Sequence, residues 1–107
     1  MRRFNRYKYD LPHTVVNLVE AVCADYDRRK VIIASGAEPN DTFLKLNAAV
    51  DAGLSAVEER IRVDLRQDIG LNRGYHFSPL SSVMAYATYY SRKRQAVFGI
   101  AKELNLI

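Results

Sequence analysis

Phe43, Leu46, Val50, Leu54, Val57, Ile61 and Leu65 recur at steps of three and four residues, a spacing that fits one stripe of an α-helix and no β-strand. Pro39-Asn40-Asp41-Thr42 supplies turn and capping chemistry ahead of this run, and Gly70 closes it. The spacing predicts one helix over 42–69, about 40 Å long at ~1.5 Å per residue. A rod of that length is not stable alone. Its apolar stripe needs a cover along its whole length, either another helix of the same chain or a second copy.

The rest of the chain offers such a cover. Val15, Leu18, Val19, Val22, Tyr26 and Ile33 fall on a second helical stripe. Asp10 stands where an N-cap is expected, Pro12 just inside, and Gly36 where a left-handed residue ends a helix. Asp25 and Arg29, four residues apart, are set to pair. A third helical segment follows Ser78-Pro79, an N-cap with Pro at the first helical position. It reads either as one helix to Leu104 or as a short helix to about Met84 and then a longer one. The expected fold is all-α with three to four helices. Two long antiparallel helices, about 11–35 and 42–69, carry a C-terminal helix or helix pair at about 79–105. Residues 1–107 form one domain, with 1–9 a basic arm; only 5 Gly and 3 Pro argue against a turn-rich sandwich or barrel.

Composition narrows the function. The net charge of +4 and pI near 9.4 suit an anionic partner without requiring one. Cys23 is the single cysteine, which excludes an internal disulfide and a cysteine zinc cluster and suits a small core residue. No apolar signal segment and no run of about 18 apolar residues occurs, so a soluble cytoplasmic protein is expected. Phosphate-binding glycine loops and H-E-x-x-H are lacking, and His13 and His76 are far apart. Glu58 and Glu59 point about 100° apart on a helix and make no acid–base pair. Glu58–Arg62 and Arg60–Asp64 have the spacing of solvated pairs. Asp64 and Asp68 share a face, but Arg60 and Arg66 beside them suggest a charge-laced exterior. No catalytic residue, metal or cofactor is expected, and no membrane or small-molecule partner.

Two basic clusters remain. Arg2, Arg3, Arg6 and Lys8 alternate with Phe4, Tyr7 and Tyr9, a mixture of charge and rings that can follow a phosphate backbone. Arg92-Lys93-Arg94 follows Tyr89-Tyr90. On a helical wheel Val83, Tyr90, Val97, Ala101 and Leu104 form a dry side, with Arg94 at its margin. Thr88, Arg92, Gln95 and Gly99 lie opposite, with Tyr89 and Ser91 to either side.

Thr88-Tyr89-Tyr90-x-Arg92-Lys93-Arg94, followed by Ile100-Ala101-x-x-Leu104-x-Leu106, resembles the C-terminal recognition-helix region of RinA/ArpU-type phage transcriptional regulators, which are similar to sigma-factor region 4. Asn105 stands where that pattern usually has Gly. The stretches "DYDRRKVII", "LNAAVDAGLSAVEERIRVDL" and "DIGLNRGYHFSP" look like a broader set of small phage proteins of Gram-positive hosts. The resemblance implies a DNA-binding regulator whose helix-turn-helix needs a first helix and a tight turn before Thr88. In that reading Thr88, Tyr89 and Ser91 meet phosphate or base edges. Arg92 and Gln95 read guanine and adenine. Lys93 and Arg94 hold the backbone, and Arg2, Arg3, Arg6 and Lys8 add non-specific affinity. Double-stranded DNA is the expected partner, with a homodimer through the long second helix. The other reading is a helical protein–protein interaction or phage accessory module that binds no nucleic acid.

Overall fold

The long second helix is not continuous. In a computed structural model that describes residues 9–36 and 41–107, it stops at Leu54 and a new helix begins at Arg62. All regular structure among the described residues is helical. It comprises α1 (His13–Ala24), α2 (Tyr26–Ala34), α3 (Asp41–Leu54), α4 (Arg62–Gly70) and α5 (Tyr86–Glu103). Short 3₁₀ turns occupy Glu59–Ile61, Tyr75–Phe77 and Pro79–Ser82. The all-α expectation holds, with five α-helices among the described residues where three to four were expected.

Local chemistry accounts for the break. Gly53 and Ser55 both weaken a helix interior, and the Ser55 hydroxyl donates to the Ala52 carbonyl at 2.5 Å. Glu58 is extended (φ −60°, ψ 140°), and Arg62 Nε donates to the Val57 carbonyl at 2.9 Å, tying the turn to α4. The apolar stripe survives the break because both pieces face the same core. Val50, Leu54, Val57, Ile61, Leu65 and Ile69 are all buried, with α3 packed on α5 and α4 on α1. The stripe that needed a cover, from another helix of the chain or from a second copy, is covered along these residues within the chain.

The first long helix is also divided. Asp25 departs from helical geometry (φ −96°, ψ 4°) between α1 and α2, although the ladder runs on through it. The Asp25–Arg29 pair forms, at 3.5 Å. Arg29 itself is buried and donates to Asn47 Oδ1 at 2.7 Å and to the Val22 carbonyl at 2.6 Å, joining α2 to α3. Asp10 is not the N-cap. It lies in the left-handed region (φ 57°), and Pro12 holds the cap position, its carbonyl accepting from Val15 and Val16.

Two helix crossings are set by glycine. A Cβ on Gly53 would lie 2.6 Å from Ile100 Cα, and one on Gly99 would lie 2.7 Å from the Gly53 carbonyl oxygen. Backbone therefore meets backbone where α3 crosses α5. At the α1–α4 crossing, a Cβ on Gly70 would lie 2.8 Å from Ala24 Cα.

Helix ends recur in one form. After α5, Leu106 N–H bonds the Ala101 carbonyl (2.9 Å) and Asn105 N–H the Lys102 carbonyl (3.0 Å), with Asn105 left-handed at φ 61°. After α4, Arg73 N–H bonds the Asp68 carbonyl (2.8 Å) and Asn72 N–H the Ile69 carbonyl (3.2 Å), with Asn72 at φ 54°. Both are Schellman ends in which Asn takes the usual glycine position, so Asn105 does there what Gly would do. Gly36 (φ 73°) ends α2 as expected.

Candidate nucleic-acid interface on the last helix

The Ser78-Pro79 cap forms as its sequence suggests: Ser78 Oγ accepts from the Leu80 N–H at 3.0 Å. What it starts is one 3₁₀ turn, not an α-helix. The chain then extends at Ala85 (ψ 157°) and enters α5 at Tyr86. A turn does therefore separate residues 79–85 from the last helix. The α-helix expected immediately before that turn is absent: the nearest preceding one, α4, lies beyond residues 71–85.

The buried face of α5 comprises Tyr89, Lys93, Ala96, Val97, Ile100 and Ala101. It differs from the expected dry side in two ways. Val83 precedes the helix and is 61% exposed, while Tyr89 and Lys93, expected to face DNA, are 0% and 2% exposed. A polar network accounts for their burial. Asp68, itself fully buried, accepts from Tyr89 Oη at 2.8 Å and from Arg73 Nε at 2.5 Å. Lys93 Nζ donates to the Arg73 carbonyl at 2.7 Å and lies 5.5 Å and 5.7 Å from the ring centroids of Tyr89 and Tyr90. Burial, then the hydrogen bond to Asp68, pushes the Tyr89 phenol well above its ordinary value. The charge-laced exterior expected around Asp68 is thus an interior network.

The remaining predicted residues stay within reach of solvent. Thr88 and Ser91 are half-buried; Arg94 and Gln95 are exposed. Arg92 is partly exposed and donates from Nε to Glu58 Oε1 at 3.0 Å, so Glu58 pairs across the fold with Arg92 and not with Arg62. The Glu58 carboxyl is held below its usual range by its own backbone amide first and by Arg92 second.

Arg2, Arg3, Arg6 and Lys8 lie outside the described residues. The point where their segment joins the fold is described. Tyr9 is 3% exposed and Leu11 4%, both in the main core. Tyr9 and Asp10 line a cleft of about 260 Å³ with Ser91, Arg94, Gln95 and Phe98. Tyr9 and Asp10 thus lie beside the exposed polar face of α5. Burial first, and then Glu20, raises the Tyr9 phenol, while Arg94 opposes the shift.

No family model, curated protein or solved structure matches this chain.

Sequence reasoning missed the Asp68–Arg73–Tyr89–Lys93 network, although a signal for it was present. Tyr89, Lys93, Ala96, Val97 and Ile100 are themselves spaced by helical steps, and Asp68 sits between Leu65 and Ile69 on a buried stripe. Their charge hid them. Among the described residues no three His, Cys, Asp or Glu side chains gather as a metal set, and no helix is long and apolar enough to cross a membrane. Cys23 is buried in the core, which pushes its thiol up to about 12.

Proposed function

We propose that this protein is a double-stranded-DNA-binding regulator of the phage type its last helix resembles. The exposed face of α5 is the reading surface and the basic N-terminal segment is its clamp on the backbone. The observation that carries the reading is the root of that segment. Tyr9 is buried and, with Asp10, lines a cleft with Ser91, Arg94 and Gln95, on the side of the fold that bears Arg94. Arg94 takes a phosphate and Gln95 a base edge, with Ser91 beside them. Arg92 joins when DNA displaces Glu58. Tyr89 and Lys93 hold the helix from inside and touch no DNA, and Thr88 is marginal.

Binding of this kind releases counterions, so affinity for a random duplex falls steeply with salt. Measured by fluorescence anisotropy at several salt concentrations, Arg94→Ala should shift the slope of log K against log salt by about one unit. Replacing Arg2, Arg3, Arg6 and Lys8 together by Ala should remove about three to four units. A salt-independent response in the wild type would refute the proposal.

A flat response would favour the helical interaction module, which has its own support. Phe77, Leu71 and Val83 are 81%, 66% and 61% exposed along the connection into α5. Leu71 and Phe77 also line one groove, with Arg73, Tyr75, His76 and Tyr90.

A further inference from the structure

Away from α5, Arg66 presents an unusual balance. Its side chain is 9% exposed, its guanidinium carbon lies 4.1 Å from the centroid of the Tyr26 ring, and Asp27 accepts from Nη1 at 3.4 Å. A guanidinium carries five N–H donors in a planar fork. One long bond to a carboxylate that is itself 65% exposed leaves most of that fork without a protein acceptor. A buried cation so poorly satisfied is costly unless something else accepts from it. The Tyr26 ring lies over the guanidinium and offers it no hydrogen-bond acceptor in the plane of the fork.

Arg66 borders a cavity of about 350 Å³ between α2, α3 and α4, within the size range of small-molecule sites. Lys30, Arg62 and Arg66 line it, so three cations from two helices meet at one opening. Lys30 is exposed. Arg62 spends Nε on the Val57 carbonyl and reaches the Ser55 carbonyl from Nη2 only at 3.5 Å. Two carboxylates, Asp51 and Glu59, stand on the same lining. Asp51 already accepts from Tyr26 Oη at 2.8 Å.

We propose that this cavity is a binding site for a small phosphate monoester bearing hydroxyl groups. Its phosphate sits on the Arg66 fork between Lys30 and Arg62, and its hydroxyls donate to Asp51 and Glu59. Planar guanidinium donors fit phosphate oxygens two at a time, and Lys30 adds a point charge. The paired carboxylates make a bare anion the poorer ligand and a hydroxylated ester the better one. No residue of α5 lines the cavity, so the site stands or falls independently of DNA binding.

The test is an NMR titration of the full-length ¹⁵N-labelled protein at constant ionic strength, following the Arg66 Nε–Hε signal. Glycerol 3-phosphate, inorganic phosphate and acetate are the probes. Glycerol 3-phosphate should give a saturable shift, inorganic phosphate a weaker one, and acetate the weakest. Lys30→Ala, at an exposed position that leaves the fold intact, should weaken glycerol 3-phosphate binding about tenfold. Arg66→Lys, which keeps charge but loses the fork, should weaken it at least as much. Absence of a saturable shift, equal response to acetate, or indifference to Lys30→Ala would overturn the site. Displacement of glycerol 3-phosphate by duplex DNA, with loss of DNA affinity in Lys30→Ala, would overturn it differently, by making the cavity a backbone contact.

Discussion

The two halves of α5 are fixed to the same core by different means. In its first half a buried tyrosine and a buried lysine bond to Asp68 and to the Arg73 carbonyl, so polar groups do the fastening. In its second half Ala96, Val97, Ile100 and Ala101 are buried and Gly99 meets Gly53 backbone to backbone. The contrast shows that burial along one helix does not imply one kind of residue. Where two helices touch directly, only small side chains fit. Where α5 faces the long connection 71–85, a carbonyl without a helical partner needs a donor, which Lys93 supplies to Arg73, and the buried Asp68 carboxylate takes one from Tyr89.

The largest effect should come from the apolar half. Gly53→Ala places a methyl within 2.6 Å of Ile100 Cα, where neither backbone can yield without separating α3 from α5. We expect a loss of about 3 kcal/mol or more, read by urea denaturation. A loss under about 1 kcal/mol would mean that the crossing is looser than described. In the polar half, Asp68→Ala removes the carboxylate that accepts from both Tyr89 and Arg73, leaving Tyr89 only the longer contact to the Arg73 carbonyl at 3.2 Å. The expected loss is about 2–3 kcal/mol. If instead the variant is as stable as the wild type, the network is only incidental to the packing.

The polar half should also set an alkaline limit. The folded-state phenol of Tyr89 is raised, so the fold holds a proton that the unfolded chain releases above about pH 10. Stability present below that value is therefore lost as pH rises beyond it. Tyr89→Phe should flatten the part of that loss that Tyr89 contributes, while lowering stability at neutral pH. An unchanged pH profile in the variant would remove Tyr89 from the account. The smallest effect is at the end of the helix: Asn105→Gly relieves a left-handed residue at φ 61° and should stabilise by about 0.5–1 kcal/mol. Thermal melting that shows a loss would contradict the Schellman assignment.

Much of the fold was legible because periodicity reports burial. Leu54, Val57, Ile61 and Leu65 were placed in the core correctly. Continuity was not legible, because a stripe that crosses a 3₁₀ turn keeps facing the core while the axis changes direction. Gly53 and Ser55 were the visible cue, yet each is tolerated in helices and neither marks a stop alone. The left-handed ends at Gly36 and Asn105 lay at positions the residue types favour. At the candidate interface, exposure was inferred from chemical type, which worked for Arg94 and Gln95 and failed for Lys93 and Tyr89. A lysine is buried only where a specific acceptor waits, and the Arg73 carbonyl is twenty residues away in sequence. Local pattern holds no record of such a partner.

The proposed division of labour on α5 is tested most directly by comparing Arg94→Met with Lys93→Met, each measured for duplex-DNA affinity across salt and for unfolding by urea. Arg94→Met should lower the magnitude of the salt slope by about one unit and leave stability within about 0.5 kcal/mol of the wild type. Lys93→Met should leave the slope unchanged and cost about 1–2 kcal/mol of stability. The reverse pattern, with Lys93 setting the slope and Arg94 the stability, would contradict the account.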